Sequence, residues 1–166
     1  MSARRFRRDE GFDPVDLLKY GRGHLRGAEI LLKEGHHCLD SGGHLGHLAI
    51  ELLIKAALLH QQGSFPAEHN LQKLLTEASA AGLSFQLDAN AQALLASIAP
   101  FEESRYPNPR SPVEIGTEDL RKIQDLWDTL LDQVPEDLRR AFLGADQTIK
   151  GGRKLLVKES GTDGAV

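Results

Sequence analysis

The side chains able to do chemistry concentrate in one short stretch. Residues 44–59 read HLGHLAIELLIKAALL, where His44, His47, Glu51 and Lys55 are the only polar members of an otherwise apolar run. At about 100° per residue, a helix gathers these four into one arc of about 80°. A buried polar group must find a partner or reach water, because an unsatisfied one costs about 1–3 kcal/mol. Three kinds of chemistry suit such a line. Glu51 and Lys55 can pair at i,i+4, in the favourable order, along a narrow strip facing solvent. The strip can instead line a groove or homodimer seam that orders a ligand or partner. Thirdly, His44 and His47 at i,i+3 can begin a transition-metal site, with Glu51 or the nearby His36-His37-Cys38 run. A lone H-x-x-H lacks the further ligand, at motif spacing, that a metal site needs, so no metal and no cofactor is assigned.

Other candidate groups are scattered. Five of the seven histidines lie between residues 36 and 60. His69, ahead of Asn70 and Leu71, suits a role in capping or orienting the helix that follows. Arg105 and Tyr106 sit in a proline-bounded loop, from which Arg105 can reach a carboxylate such as Glu51 or an anionic ligand. The glycines at 21, 23 and 27 do not form a dinucleotide fingerprint, since the last is one residue too far and no strand precedes it. No Walker-type loop occurs. Nine scattered aromatics make no stacking platform for single strands.

The elements that must position these groups are helices. The 166 residues include 27 Leu and 17 Ala against 12 Val plus Ile, a balance that favours helix over strand. Asp13-Pro14 is a capped helix start, and helical spacing then runs to about Glu34. Further helices are expected over 41–62, 70–81, 89–101 and 117–134, the last capped by Thr117. A short one is expected within 136–149. Pro107, Pro109 and Pro112 hold residues 104–116 as a loop. The fold expected is all-α, an antiparallel up-and-down bundle of four to five helices. Residues 1–12 read as a flexible basic arm, 13–149 as the bundle and 150–166 as a flexible C-terminal tail.

Charge and cysteine content narrow the function classes. The net charge of −4 divides into +4 over residues 1–8, −10 over 9–149 and +2 over 150–166. An acidic bundle repels phosphate backbones, which weighs against nucleic-acid binding by the core. A single cysteine, Cys38, excludes an internal disulfide. No apolar run approaches the ~20 residues that span a bilayer, and no apolar stretch follows the first arginines as in a secretory signal. A cytoplasmic location is the expectation.

The segment from Gly43 to Leu75, GHLGHLAIELLIKAALLHQQGSFPAEHNLQKLL, resembles the HEPN (higher eukaryotes and prokaryotes nucleotide-binding) domains. Their pattern is an Ala/Leu-rich helix with a Glu and, four residues on, a Lys. A Gly-Pro loop and a His-Asp/Asn-Leu helix start follow. Here those positions are Glu51, Lys55, Gly63, Pro66, His69, Asn70 and Leu71. Ser104-Arg105-Tyr106-Pro107 is similar to the Arg-Tyr-Pro segment that many of these domains place before the last long helix. The resemblance spans roughly residues 13–134. It implies a helical bundle that commonly dimerises through its long helices, with functions ranging over ribonuclease toxins, partners of small nucleotidyltransferases and nucleotide binding. Active ribonucleases of the family carry Arg, four to six residues, then His. No histidine here has an Arg at that spacing, and none follows Arg105 or Arg110.

The expectation is therefore a non-catalytic, homodimeric HEPN-like module. It would bind a partner protein, such as a nucleotidyltransferase-like or toxin–antitoxin partner, or a nucleotide, through His47, Glu51, Lys55, Arg105 and Tyr106. The alternative is a divergent ribonuclease or a metal-dependent hydrolase using His44 and His47.

Overall fold

The computed structural model describes residues 4–145. Six α-helices run in chain order: α1 (Pro14–Glu34), α2 (Leu39–Gln62), α3 (Leu71–Ala80), α4 (Ala89–Ile98), α5 (Asp119–Leu131) and α6 (Glu136–Gly144). The all-α expectation holds, with one small addition. Strands β1 (Arg5–Arg7) and β2 (Ser64–Pro66) pair antiparallel, with Phe6 opposite Phe65. Strands this short cannot show the alternation by which a strand is read from sequence.

Local chemistry sets the boundaries. The Asp13 carboxylate accepts the Val15 and Asp16 N–H groups at 2.8 and 3.2 Å, and Pro14 occupies the first helical position. Gly63, with φ of 74°, turns the chain out of α2 in the left-handed conformation that glycine adopts without strain. Asn70 and Asp88 cap α3 and α4 through Lys73 N and Ala91 N. The Thr117 cap expected for α5 is not formed. Asp119 instead opens that helix, its buried carboxylate accepting Gly116 N–H at 2.8 Å and Lys122 Nζ at 2.7 Å. The helix expected over 89–101 stops at Ile98 and continues as a 3-10 segment, Ala99–Arg105.

Helix α2 is the axis of the bundle. Ala49, Ile50, Leu53, Ile54 and Ala56–Leu59 have no exposed surface, and the helix packs on α1, α3, α5, β2 and the 3-10 segment. By length and composition α2 could cross a membrane, but 78% of its most apolar window is buried inside the bundle. Two glycines permit this packing. A Cβ at Gly21 of α1 would lie 3.0 Å from the Trp127 ring, and one at Gly46 of α2 would collide with the buried Ile123 side chain.

From Arg4 onward, the stretch expected as a flexible basic arm over residues 1–12 packs against the bundle. Phe6, Phe12 and Phe65 pack together with ring centroids 5.3–5.5 Å apart, fastening β1 to the turn after α2. Arg5 adds an ion pair to Glu77 at 2.7 Å. The tail expected over 150–166 lies outside the described residues.

Candidate functional site

The polar line of α2 is interior. His47, Glu51 and Lys55 are 0%, 3% and 4% exposed, so the solvent-facing strip is not what forms. Helical spacing aligns them, and tertiary packing then closes over them. Lys55 Nζ donates to Glu51 Oε1 at 2.6 Å. The same carboxylate receives His69, whose Nδ1 stands 3.1 and 3.2 Å from Oε1 and Oε2. Phe65 lies below Lys55, with Nζ 5.7 Å from the ring centroid. A buried ion pair holds only when further hydrogen bonds use the remaining lone pairs, and His69 supplies one.

The loop after β2 delivers His69 to this position. Glu68 accepts the N–H groups of both His69 and Asn70 at 3.0 Å, and Lys73 pairs with Glu68 at 3.2 Å. Asn70 is the cap of α3, which corrects the capping role expected for His69. The His69 side chain is 49% exposed, the outward end of an inward network. When the ring is neutral and the carboxylate takes Nδ1–H, Nε2 carries the free lone pair.

Three more histidines surround the carboxylate, each with its pKa held down. Burial drives His47 to about 3, helped by the positive charges of His44, His69, Arg105 and Lys55. Its Nδ1 is 3.8 Å from Glu51 Oε2, too far for a hydrogen bond, and neither ring nitrogen has a hydrogen-bond partner among the described residues. His44 is lowered by burial and by Arg105, against an opposing bond to the Phe101 backbone, and its Nδ1 too has no hydrogen-bond partner among the described residues. His24, on α1, is lowered by burial and by His44, against the pull of Glu51. Sequence reasoning did not place His24 here. Its contribution comes from α1 lying along α2, which no motif encodes.

Arg105 and Tyr106 belong to the surface. Arg105 does not reach Glu51; its Nη2 is 3.5 Å from Glu102 Oε1, and its side chain is 45% exposed. Its charge still acts on His44 and His47, which sets it at the rim of the buried cluster. Tyr106 is 77% exposed. The Ser104 hydroxyl, with one proton to donate, lies 2.6 Å from the Phe101 carbonyl and 3.1 Å from the Asp40 carbonyl of α2. The five candidate residues thus divide into an internal set, His47, Glu51 and Lys55, and an external pair, Arg105 and Tyr106.

Among the described residues, no three His, Cys, Asp or Glu side chains come together in a way that could hold a metal ion. His36 and His37 are exposed in the link between α1 and α2, and Cys38 is a half-buried free thiol. The sequence profile of the HEPN domain matches residues 15–135. No curated protein and no solved structure matches the chain at a significant level.

Proposed function

The chain belongs to the HEPN domain family, and we propose that it is a non-catalytic, homodimeric binding module. Its partner would be a second protein, such as a nucleotidyltransferase-like or toxin–antitoxin partner, or a nucleotide, met through Arg105 and Tyr106. The observation that carries this reading is the state of the α2 line. Glu51 is occupied by Lys55 and His69, and His47 is neutral and enclosed. Such groups order the bundle and its rim but are not free to act on a substrate. The missing Arg-x4–6-His spacing agrees with that.

Support for a dimer comes from α2. Leu45, Leu48 and Leu52 share one face at i, i+3 and i+7 and stay half-buried, and Leu45 and Leu48 lie outside the apolar core. Leu48 stands four residues after His44 and three before Glu51, so this strip borders the polar line. A second copy covering the strip would complete the burial that one chain leaves unfinished.

Isothermal titration calorimetry with adenosine and guanosine mono-, di- and triphosphates tests the nucleotide arm. Co-purification with the product of an adjacent reading frame tests the protein arm. The reading expects binding in one arm, lost in an Arg105→Ala/Tyr106→Ala variant of unchanged stability. Binding indifferent to that variant, or none in either arm, contradicts it.

One observation favours a catalytic reading. An imidazole with Nδ1 on a buried carboxylate is the arrangement of a positioned general base, so His69, rather than His44 or His47, would move the proton. RNA cleavage by purified protein, abolished by His69→Ala, would establish it in place of the binding module.

A further inference from the structure

Three glycines fix how α1 lies against α2. A Cβ at Gly21 would stand 3.2 Å from the Ala49 carbonyl, one at Gly27 2.9 Å from Leu45 Cδ1, and one at Gly42 2.8 Å from Leu32 Cγ. Rising positions on α1 therefore meet falling positions on α2, and the two helices are antiparallel. One turn from the Gly27–Leu45 contact, this register sets His24 opposite Leu48, and one turn further it sets Tyr20 opposite Leu52. The apolar strip of α2 thus has a flank on α1, with a titratable ring at its middle. Tyr20 is 42% exposed, and His24 is half-buried, as are Leu45, Leu48 and Leu52.

His24 is one of a group. His44, four residues before Leu48, is also half-buried, and its charge bears on both His24 and His47. His44 Nδ1 and both ring nitrogens of His47 are buried with no hydrogen-bond partner among the described residues, so no acceptor there steadies an added proton. The fixed charges around the rings come in pairs. On α2, Glu51 holds Lys55 at 2.6 Å, and in the 3-10 segment Glu102 lies 3.5 Å from Arg105. His69, from the loop before α3, brings either no charge or a positive one. Asp40, one turn before His44, is exposed to water and screened by it. Glu51 pulls on His24 and His44, but less strongly than burial opposes their charging. A proton added to either ring therefore leaves net positive charge beside Leu48.

We infer that acid gates the dimer: protonation of His24 and His44 sets like charges on both copies along the strip, and the copies part. The inference rests on the dimer proposed above and adds its regulation. In a single chain these half-buried rings still meet water, where a proton can be accepted. A second copy over the strip withdraws that water, so the dimer binds fewer protons than two single chains. By linkage, falling pH draws the equilibrium toward single chains. Burial already holds both rings below their ordinary 6.5, so the dissociation belongs below that pH.

Sedimentation velocity of the full chain tests this between about pH 8 and about pH 5, at constant ionic strength. The dimer dissociation constant is expected to rise about tenfold or more across that range, with helix content by circular dichroism unchanged. His24→Gln/His44→Gln should stay dimeric at the acid end. His24→Lys, which carries the charge at either pH, should weaken the dimer at the neutral end too; circular dichroism checks that both variants fold. A dissociation constant that does not move with pH overturns the gate and leaves the dimer standing. Acid dissociation that persists in His24→Gln/His44→Gln, dissociation that follows loss of helix, or a His24→Lys dimer as tight as the native one also overturns it. A native chain that is monomeric at about pH 8 overturns the gate and the dimer together.

Discussion

His69 Nδ1 lies 3.1 Å from Glu51 Oε1, joining a half-exposed loop residue to a carboxylate buried in the central helix. That contact and the 2.6 Å bond from Lys55 make Glu51 the shared acceptor of α2 and of the loop leading into α3.

Removing one member of such a group is far worse than replacing the pair. Glu51→Ala strands the Lys55 ammonium in the interior and is expected to cost about 3–5 kcal/mol in urea unfolding. Glu51→Gln combined with Lys55→Met should cost clearly less than the sum of the single changes. A double-mutant cycle with no coupling between the two positions would show that the pair contributes nothing.

Stability should fall with acid through the histidines. His47 has a folded pKa of about 3 against an ordinary 6.5, so between these values the unfolded chain binds the extra proton. The stability this provides is complete above about pH 6.5 and is lost as pH falls toward 3, with a slope of up to ~1.4 kcal/mol per pH unit. His24 and His44 are displaced in the same direction and steepen the loss. His47→Leu should flatten the profile in that window, measured by urea midpoints at successive pH values. An unchanged slope would mean that His47 does not stay neutral in the fold.

Two glycines should respond in opposite senses to the same substitution. Gly23 is exposed on α1 with open space around it, so Gly23→Ala should stabilise by about 0.5–1 kcal/mol through helix propensity. Gly46 faces the buried Ile123, and overpacking there should outweigh that gain, for a net loss of about 1–2 kcal/mol. Thermal melts of both variants decide it.

The polar line was legible in the sequence because helical periodicity alone aligns His44, His47, Glu51 and Lys55. The direction in which it faces was not. That depends on His69 folding over Glu51 and on α1 carrying His24 alongside, both of which are tertiary events. Helix starts at Asp13, Asn70 and Asp88 were readable because capping is local chemistry. Arg105 was misplaced for the converse reason: its nearest carboxylate, Glu102, lies one turn away in a 3-10 segment that the spacing predicted as α-helix and loop. The fastening of β1 has no signal in the sequence, because a pairing of three residues leaves no period and four arginines in eight residues suggest a solvated arm.

The proposed dimer is joined through the strip Leu45–Leu48–Leu52, beside the buried polar line. Sedimentation velocity tests it most directly, comparing the native protein with Leu48→Glu over a wide range of concentration. Such a dimer requires a native species of twice the 18.2 kDa chain mass, and a Leu48→Glu species of single-chain mass with unchanged helix content. A native protein that stays monomeric at every concentration, or a Leu48→Glu protein that remains dimeric, would contradict it.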